Sequence, residues 1–173
     1  MSINKQKLKN PLLINVSGAP HIGVTAACDR VQRCLNVQGI ITDVITLERG
    51  IDVNNFDDDY LLGNYSHLDV ILFDKHRNAD SAVKRRLIHP LWNTEGVIPD
   101  ISVLLNCSLE NYQRRISNRS DKRKKAEHHG FYLEIDKEHY GTSNHHVINT
   151  DGKNGLLYAA GTIKGFILRE LQK

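Results

Sequence analysis

The chain has 173 residues, of which 40% are hydrophobic and 25% charged, and its net charge is +3. That length suits a single domain with a sizeable core, and the composition is that of an ordinary soluble globular protein. No apolar run approaches the roughly 18 residues that span a membrane, the polar start MSINKQKLKN lacks the apolar stretch of a secretory signal, and so small a charge does not by itself argue for nucleic acid.

In chain order, Leu12 to Val16 is a short apolar run that ends at Ser17-Gly18 and reads as a buried strand. From Gly23 to about Gln38, Ala26, Ala27, Val31, Leu35 and Val37 recur at roughly helical spacing, and Gly39 closes the pattern. Ile40 to Leu47 is β-branched and apolar, a second strand. Residues 49–68 predict a loop with a short helix, and Leu68 to Phe73 a third strand ending at Asp74. Asp80 to Leu91 reads as helix, Ile101 to Leu105 as a fourth strand, and Leu109 to about His129 as a very basic helix. Phe131 to Tyr140 is expected to be helical, His146 to Asn149 a fifth strand, and Leu156 to Leu171 a closing helix.

Apolar strands alternating with amphipathic helices predict an α/β fold: a five-stranded parallel sheet with helices on both faces, in three layers. Ligands in such sheets bind beyond the carboxyl ends of the strands. The segments after the strands are therefore where chemistry is expected, within one domain over residues 1–173.

The segment after the first strand is Ser17-Gly18-Ala19-Pro20-His21-Ile22-Gly23-Val24-Thr25. Gly18 and Gly23 have the spacing of the phosphate-binding loop pattern G-x-x-x-x-G-K-[ST], and Thr25 holds its Ser/Thr position. Such glycines let backbone N–H groups turn inward around a phosphate, and the helix N-terminus adds partial positive charge. Gly18, Ala19, His21, Gly23, Val24 and Thr25 are the candidate phosphate-binding residues, and the Thr25 hydroxyl a candidate Mg²⁺ ligand. Valine stands at the lysine position. Loss of one such preorganised charge commonly costs on the order of 3 kcal/mol, about 100-fold in rate. The plainer alternative is a glycine-bounded turn without a ligand.

In these features the chain resembles the thymidylate kinases and related deoxynucleoside monophosphate kinases, P-loop kinases, over nearly its whole length. The loop GAPHIGVT stands where that family has its P-loop. Thr46-Leu47-Glu48-Arg49-Gly50 stands at its Thr-Arg-Glu-Pro-Gly-Gly motif, and Phe73-Asp74-Lys75-His76 at its Asp-Arg motif. Pro99-Asp100 leads the fourth strand as in the family, and Tyr112, Arg114, Arg115 and Arg119 follow as in its lid-preceding helix. Val147 to Gly152 matches its closing strand and turn. The departures are Val24 for lysine, Leu47 for arginine with Arg49 two positions on, and Lys75 for arginine.

The resemblance implies a three-layer P-loop fold and transfer of the ATP γ-phosphoryl to a (deoxy)nucleoside monophosphate such as dTMP, with ATP and Mg²⁺ as cofactors. Glu48, Arg49 and Lys75 would hold the acceptor. Asp74 would act near the metal or the acceptor hydroxyl, making Thr25 and Asp74 the metal residues. The basic segment about 114–130, with seven basic residues and one acidic residue between Arg114 and Lys125, would be a lid. Its Arg115, Arg119 and Arg123 would stabilise charge alongside Asp74.

The missing lysine also favours a catalytically impaired nucleotide-binding protein with a binding or regulatory role. A third reading is an enzyme that meets nucleic acid or a modified nucleotide through the basic face. The expected partners are nucleotide small molecules, with a homodimer as a further option; a membrane is not expected, and nucleic acid is the lesser expectation. The expected location is cytoplasmic.

Cys28, Cys34 and Cys107 form no zinc or disulfide pattern and read as buried small apolar residues. The adjacent histidine pairs, His128-His129 and His145-His146, read as surface residues, because neighbours point apart and chelate poorly. Asp52, Asp57, Asp58 and Asp59 lack calcium-loop spacing and are assigned to a loop.

Overall fold

The computed structural model describes residues 10–19, 21–46, 63–74, 99–117 and 145–173. Their elements alternate: β1 (Leu12–Gly18), α1 (Val24–Val37), β2 (Thr42–Thr46), β3 (Val70–Asp74), β4 (Ile101–Asn106), α2 (Leu109–Ile116), β5 (His145–Asn149) and α3 (Gly155–Glu170). The strands form one parallel five-stranded sheet in the order β2-β3-β1-β4-β5. The α/β class and the parallel five-stranded sheet are as the alternating pattern predicts, and each strand falls within two residues of its expected bounds at either end. The expected helices at 80–91 and 131–140, and the helix beyond Ser117, lie outside the described residues.

The sheet is apolar because its strands are covered on both sides. Ile14, Val16, Val70, Leu72, Ile101, Val103 and Leu105 pack with Val24, Ala27, Val31 and Leu35 of α1 and Ala159, Ile163 and Ile167 of α3 in one core. The alternate positions Leu13, Ile71, Phe73 and Leu104 are buried as well. Strands of this kind read as continuous apolar runs, not as polar–apolar alternation.

Chain order and strand order together place the loops. Leaving β1, α1 lies against β1, β3 and β2 on its way to the β2 edge. β1 therefore sits at the centre, between β3 and β4, and its carboxyl end opens between two neighbours whose onward connections lead the other way. That is the topological switch point at which open α/β sheets hold ligands. In register, Val16 pairs with Asp74 and Gly18 with Leu105, so the glycine loop and Asp74 emerge at the same end of the sheet.

Two residue assignments change. Cys28 and Cys107 are buried as expected, but Cys34 is exposed: Val31 and Leu35 carry the apolar stripe of α1, and Cys34 lies off that stripe. His146 is half-buried, not a surface residue. Its ring stacks on Phe166 with centroids 4.0 Å apart, and Arg169 lies over the other ring's π system at 5.0 Å. Among the described residues no helix is long and apolar enough to cross a membrane.

Candidate functional site

The turn after β1 is tightly specified. A Cβ on Gly18 would lie 2.6 Å from Ile22 Cγ2 and 2.8 Å from the Leu105 carbonyl oxygen, so only glycine fits. The Ile22 amide donates to the Ala19 carbonyl at 3.1 Å, closing a turn. His21 takes a left-handed φ of 69°, uncommon for a residue with a side chain. Gly23 caps α1 with φ 106°, and a Cβ there would meet Leu156 Cδ2 at 2.5 Å.

Among the described residues no side-chain capping bond is made at Gly23, the N-cap of α1. Its N-terminal amides therefore retain their partial positive charge for something else. The turn at the start of α3 is similar: Asn154 is its N-cap residue and makes no side-chain capping bond. The two helix starts line one cleft of about 590 Å³, together with His21, Ile22, Arg115 and Lys153. The described lining has two permanently charged side chains, both cationic, and no acidic residue. The volume lies within the range of about 300–1,000 Å³ of small-molecule sites.

Beneath the loop, the Thr25 hydroxyl donates to Asp74 Oδ2 at 2.6 Å. Asp74 is fully buried at the end of β3, while Thr25, in the first turn of α1, lines the cleft. The two residues expected to share a metal are thus in direct contact. Among the described residues no group of three or more His, Cys, Asp or Glu side chains gathers as a metal centre. The Thr25 hydroxyl and the Asp74 carboxylate are oxygen groups of the kind Mg²⁺ takes; Thr25 lines the cleft, and Asp74 is buried behind it. One turn along α1, Cys28 is driven well above the ordinary thiol range by burial and then by the negative charge of Asp74. It is a packed, protonated side chain and not a nucleophile.

Val24, at the lysine position, is only 2% exposed and belongs to the core. Its contribution to an anion is limited to its backbone amide. Arg115, expected to face the transferred phosphoryl group, is engaged in bracing. Its Nη1 donates to the Ile22 carbonyl at 2.9 Å and to Thr150 Oγ1 at 3.1 Å, and its Nη2 to the Thr150 carbonyl at 2.7 Å. It bolts the glycine loop to the turn after β5.

Of the expected phosphate residues, Gly18 and Ala19 shape the turn, while His21, Gly23, Val24 and Thr25 line the cleft. Arg119, Arg123, Glu48, Arg49 and Lys75 lie outside the described residues. The turn Thr150 to Gly155, matched in part by the resemblance over Val147 to Gly152, was given no site residue from the sequence. Its two glycines carried the signal: Gly152 has φ 90°, and a Cβ on Gly155 would run into the Thr150 carbonyl.

That turn is also anchored to α2. The Ser108 amide donates to both carboxylate oxygens of Asp151 at 3.0 Å, and Asn111 Nδ2 donates to Oδ1 at 2.6 Å. Desolvation is the largest single influence on the Asp151 carboxyl and acts upward, but the bonds with Ser108, Asn111 and Asn149 together outweigh it and hold the group below its ordinary range.

No protein-family model matches the chain, and no curated protein matches it at a significant level.

Proposed function

We propose that this protein binds a nucleoside triphosphate with Mg²⁺ in the cleft after β1 and is a nucleotide kinase of the thymidylate-kinase type. It would transfer the γ-phosphoryl group to a (deoxy)nucleoside monophosphate such as dTMP. The observation that carries the reading is the Thr25–Asp74 hydrogen bond beneath the uncapped start of α1. It supports the reading because a hydroxyl in the first turn of α1 and a carboxylate ending β3 are the groups that would hold a divalent ion beside phosphates bound by the helix amides. When bound, Mg²⁺ supplies charge neutralisation on the phosphate oxygens. The chain's own part is to fix the loop, through Gly18, Gly23 and Arg115, and to present its amides. The acceptor roles of Glu48, Arg49 and Lys75, and lid roles for Arg119 and Arg123, rest on the resemblance alone. Free thiols at Cys28, Cys34 and Cys107 suit a reducing compartment, and we place the protein in the cytoplasm.

A second reading has its own support. The core-packed Val24 removes the cation that normally meets the outer phosphates, so a nucleotide-binding protein without turnover fits the same cleft. The test is ATP-dependent phosphorylation of dTMP and dGMP by the chain, with its melting temperature read in MgATP. Turnover establishes the kinase and ends the second reading. A higher melting temperature without turnover establishes the binding protein. If the chain neither turns over nor melts higher with MgATP, both readings fail.

A further inference from the structure

The cleft has lost one cation at position 24 and has another where the P-loop pattern does not call for one. Lys153 is exposed and lines the same cleft as Val24 and Thr25. It sits in the turn closed by the Gly155 amide on the Gly152 carbonyl at 3.3 Å. That turn is fixed on two sides. Arg115 ties Thr150 to the Ile22 carbonyl of the glycine loop, and Asp151 is tied to Ser108 and Asn111 at the start of α2. On its far side the first turn of α3 abuts the loop, where Leu156 fills the space beside Gly23. The backbone that carries Lys153 is therefore held against the phosphate-binding turn by hydrogen bonds and packing. The one acidic neighbour in the turn, Asp151, is directed to the α2 amides.

We propose that Lys153 supplies the ammonium group that position 24 lacks and meets the polyphosphate of the bound nucleotide. The inference rests on the nucleotide reading above and assigns the cation of that same site. A lysine suits the task because its ammonium is a compact point charge on a flexible stem, able to reach phosphate oxygens from a neighbouring turn. The altered P-loop then retains its electrostatics with the charge moved from the loop to the turn after β5.

Calorimetric titration of the full chain with inorganic tripolyphosphate and, separately, with adenosine tests this. Lys153→Met is expected to weaken tripolyphosphate binding about 10- to 100-fold and to leave adenosine binding and the melting temperature unchanged. Lys153→Arg is expected to keep most of the affinity. If the parent binds tripolyphosphate and K153M binds it equally well, the role of Lys153 is overturned while the nucleotide site stands. If the parent binds no tripolyphosphate, the nucleotide reading and this inference fall together.

Discussion

The Thr25 hydroxyl and the Asp74 carboxylate, 49 residues apart in the chain, meet at 2.6 Å where α1 begins and β3 ends. Asp74 is buried, and its strand is paired on both sides, where Val16 of β1 and Thr46 of β2 lie in register with it. Thr25→Ala removes one partner from a buried acceptor. It is expected to cost about 1–3 kcal/mol of stability in urea titration and to abolish the Mg²⁺-dependent part of any ATP-induced rise in melting temperature. Thr25→Ser keeps the hydroxyl and is expected to retain both. A magnesium effect that persists in Thr25→Ala would remove this hydroxyl from the site.

The glycine loop tolerates no Cβ at its first position. Gly18→Ala drives a methyl group against Ile22 and the Leu105 carbonyl, so the loop or β4 must shift. The expected destabilisation is about 1–3 kcal/mol, as for overpacking of a filled core, read from the urea midpoint. A neutral outcome would mean that the turn is looser than its packing indicates.

Arg115 joins two segments that both line the cleft. Arg115→Ala leaves the Ile22 and Thr150 carbonyls without this donor and frees the turn at Thr150–Gly155 from the loop. Stability is expected to fall by about 1–3 kcal/mol, with faster amide exchange in both segments. Exchange that quickens in only one of them would contradict the bracing role.

Two carboxylates shift in opposite directions and give opposite pH signatures. Asp151 lies below its ordinary range in the folded chain. Its contribution is present above the unfolded value of about 3.9 and is lost as pH falls through the lower folded value. Asp100 accepts from the Leu13 amide at 2.7 Å, yet burial first, and the charge of Glu170 after it, carry its carboxyl above the ordinary range. Native Asp100 thus holds its proton longer than the unfolded chain does, and the penalty for ionising it grows as pH rises from the unfolded value through the folded one. Urea titrations across acidic pH are expected to show the deficit of Asp151→Asn shrinking towards low pH. Asp100→Asn is expected to gain on the parent as pH rises over its window. Parallel pH profiles for parent and variants would refute both assignments.

Much of the fold was legible in the sequence because fully covered parallel strands are written as apolar runs. LLINV, VILF and ISVLL could be placed without knowing their partners. The strand order was not legible, since no local pattern says that β1 lies between β3 and β4. In the candidate site, the Gly18–Thr25 loop was read from its glycine spacing and Asp74 from the resemblance, and both lie at the strand ends where the sequence put them. The turn after β5 was recognised as a turn but not as part of the cleft: its place there comes from packing between Gly23 and Leu156 and from Arg115, which joins segments 35 and 93 residues away. Arg115 illustrates the same limit from the other side. A basic residue in a basic run reads as a lid residue, but its hydrogen bonds to two carbonyls give it a bracing role. His146 and Cys34 were misplaced because period alone does not say which face of an edge strand or a helix meets a neighbour.

The central claim is that the amides at the start of α1 hold an anion although Val24 carries no charge. A crystal structure grown with ATP and Mg²⁺ tests it most directly. The expected result has phosphate oxygens about 2.7–3.2 Å from the amides of Gly23, Val24 and Thr25, with the metal beside Thr25 Oγ1 and the Asp74 carboxylate. A structure in which the Thr25–Asp74 bond is intact, the loop makes no phosphate contact and the nucleotide lies elsewhere or is absent would contradict it.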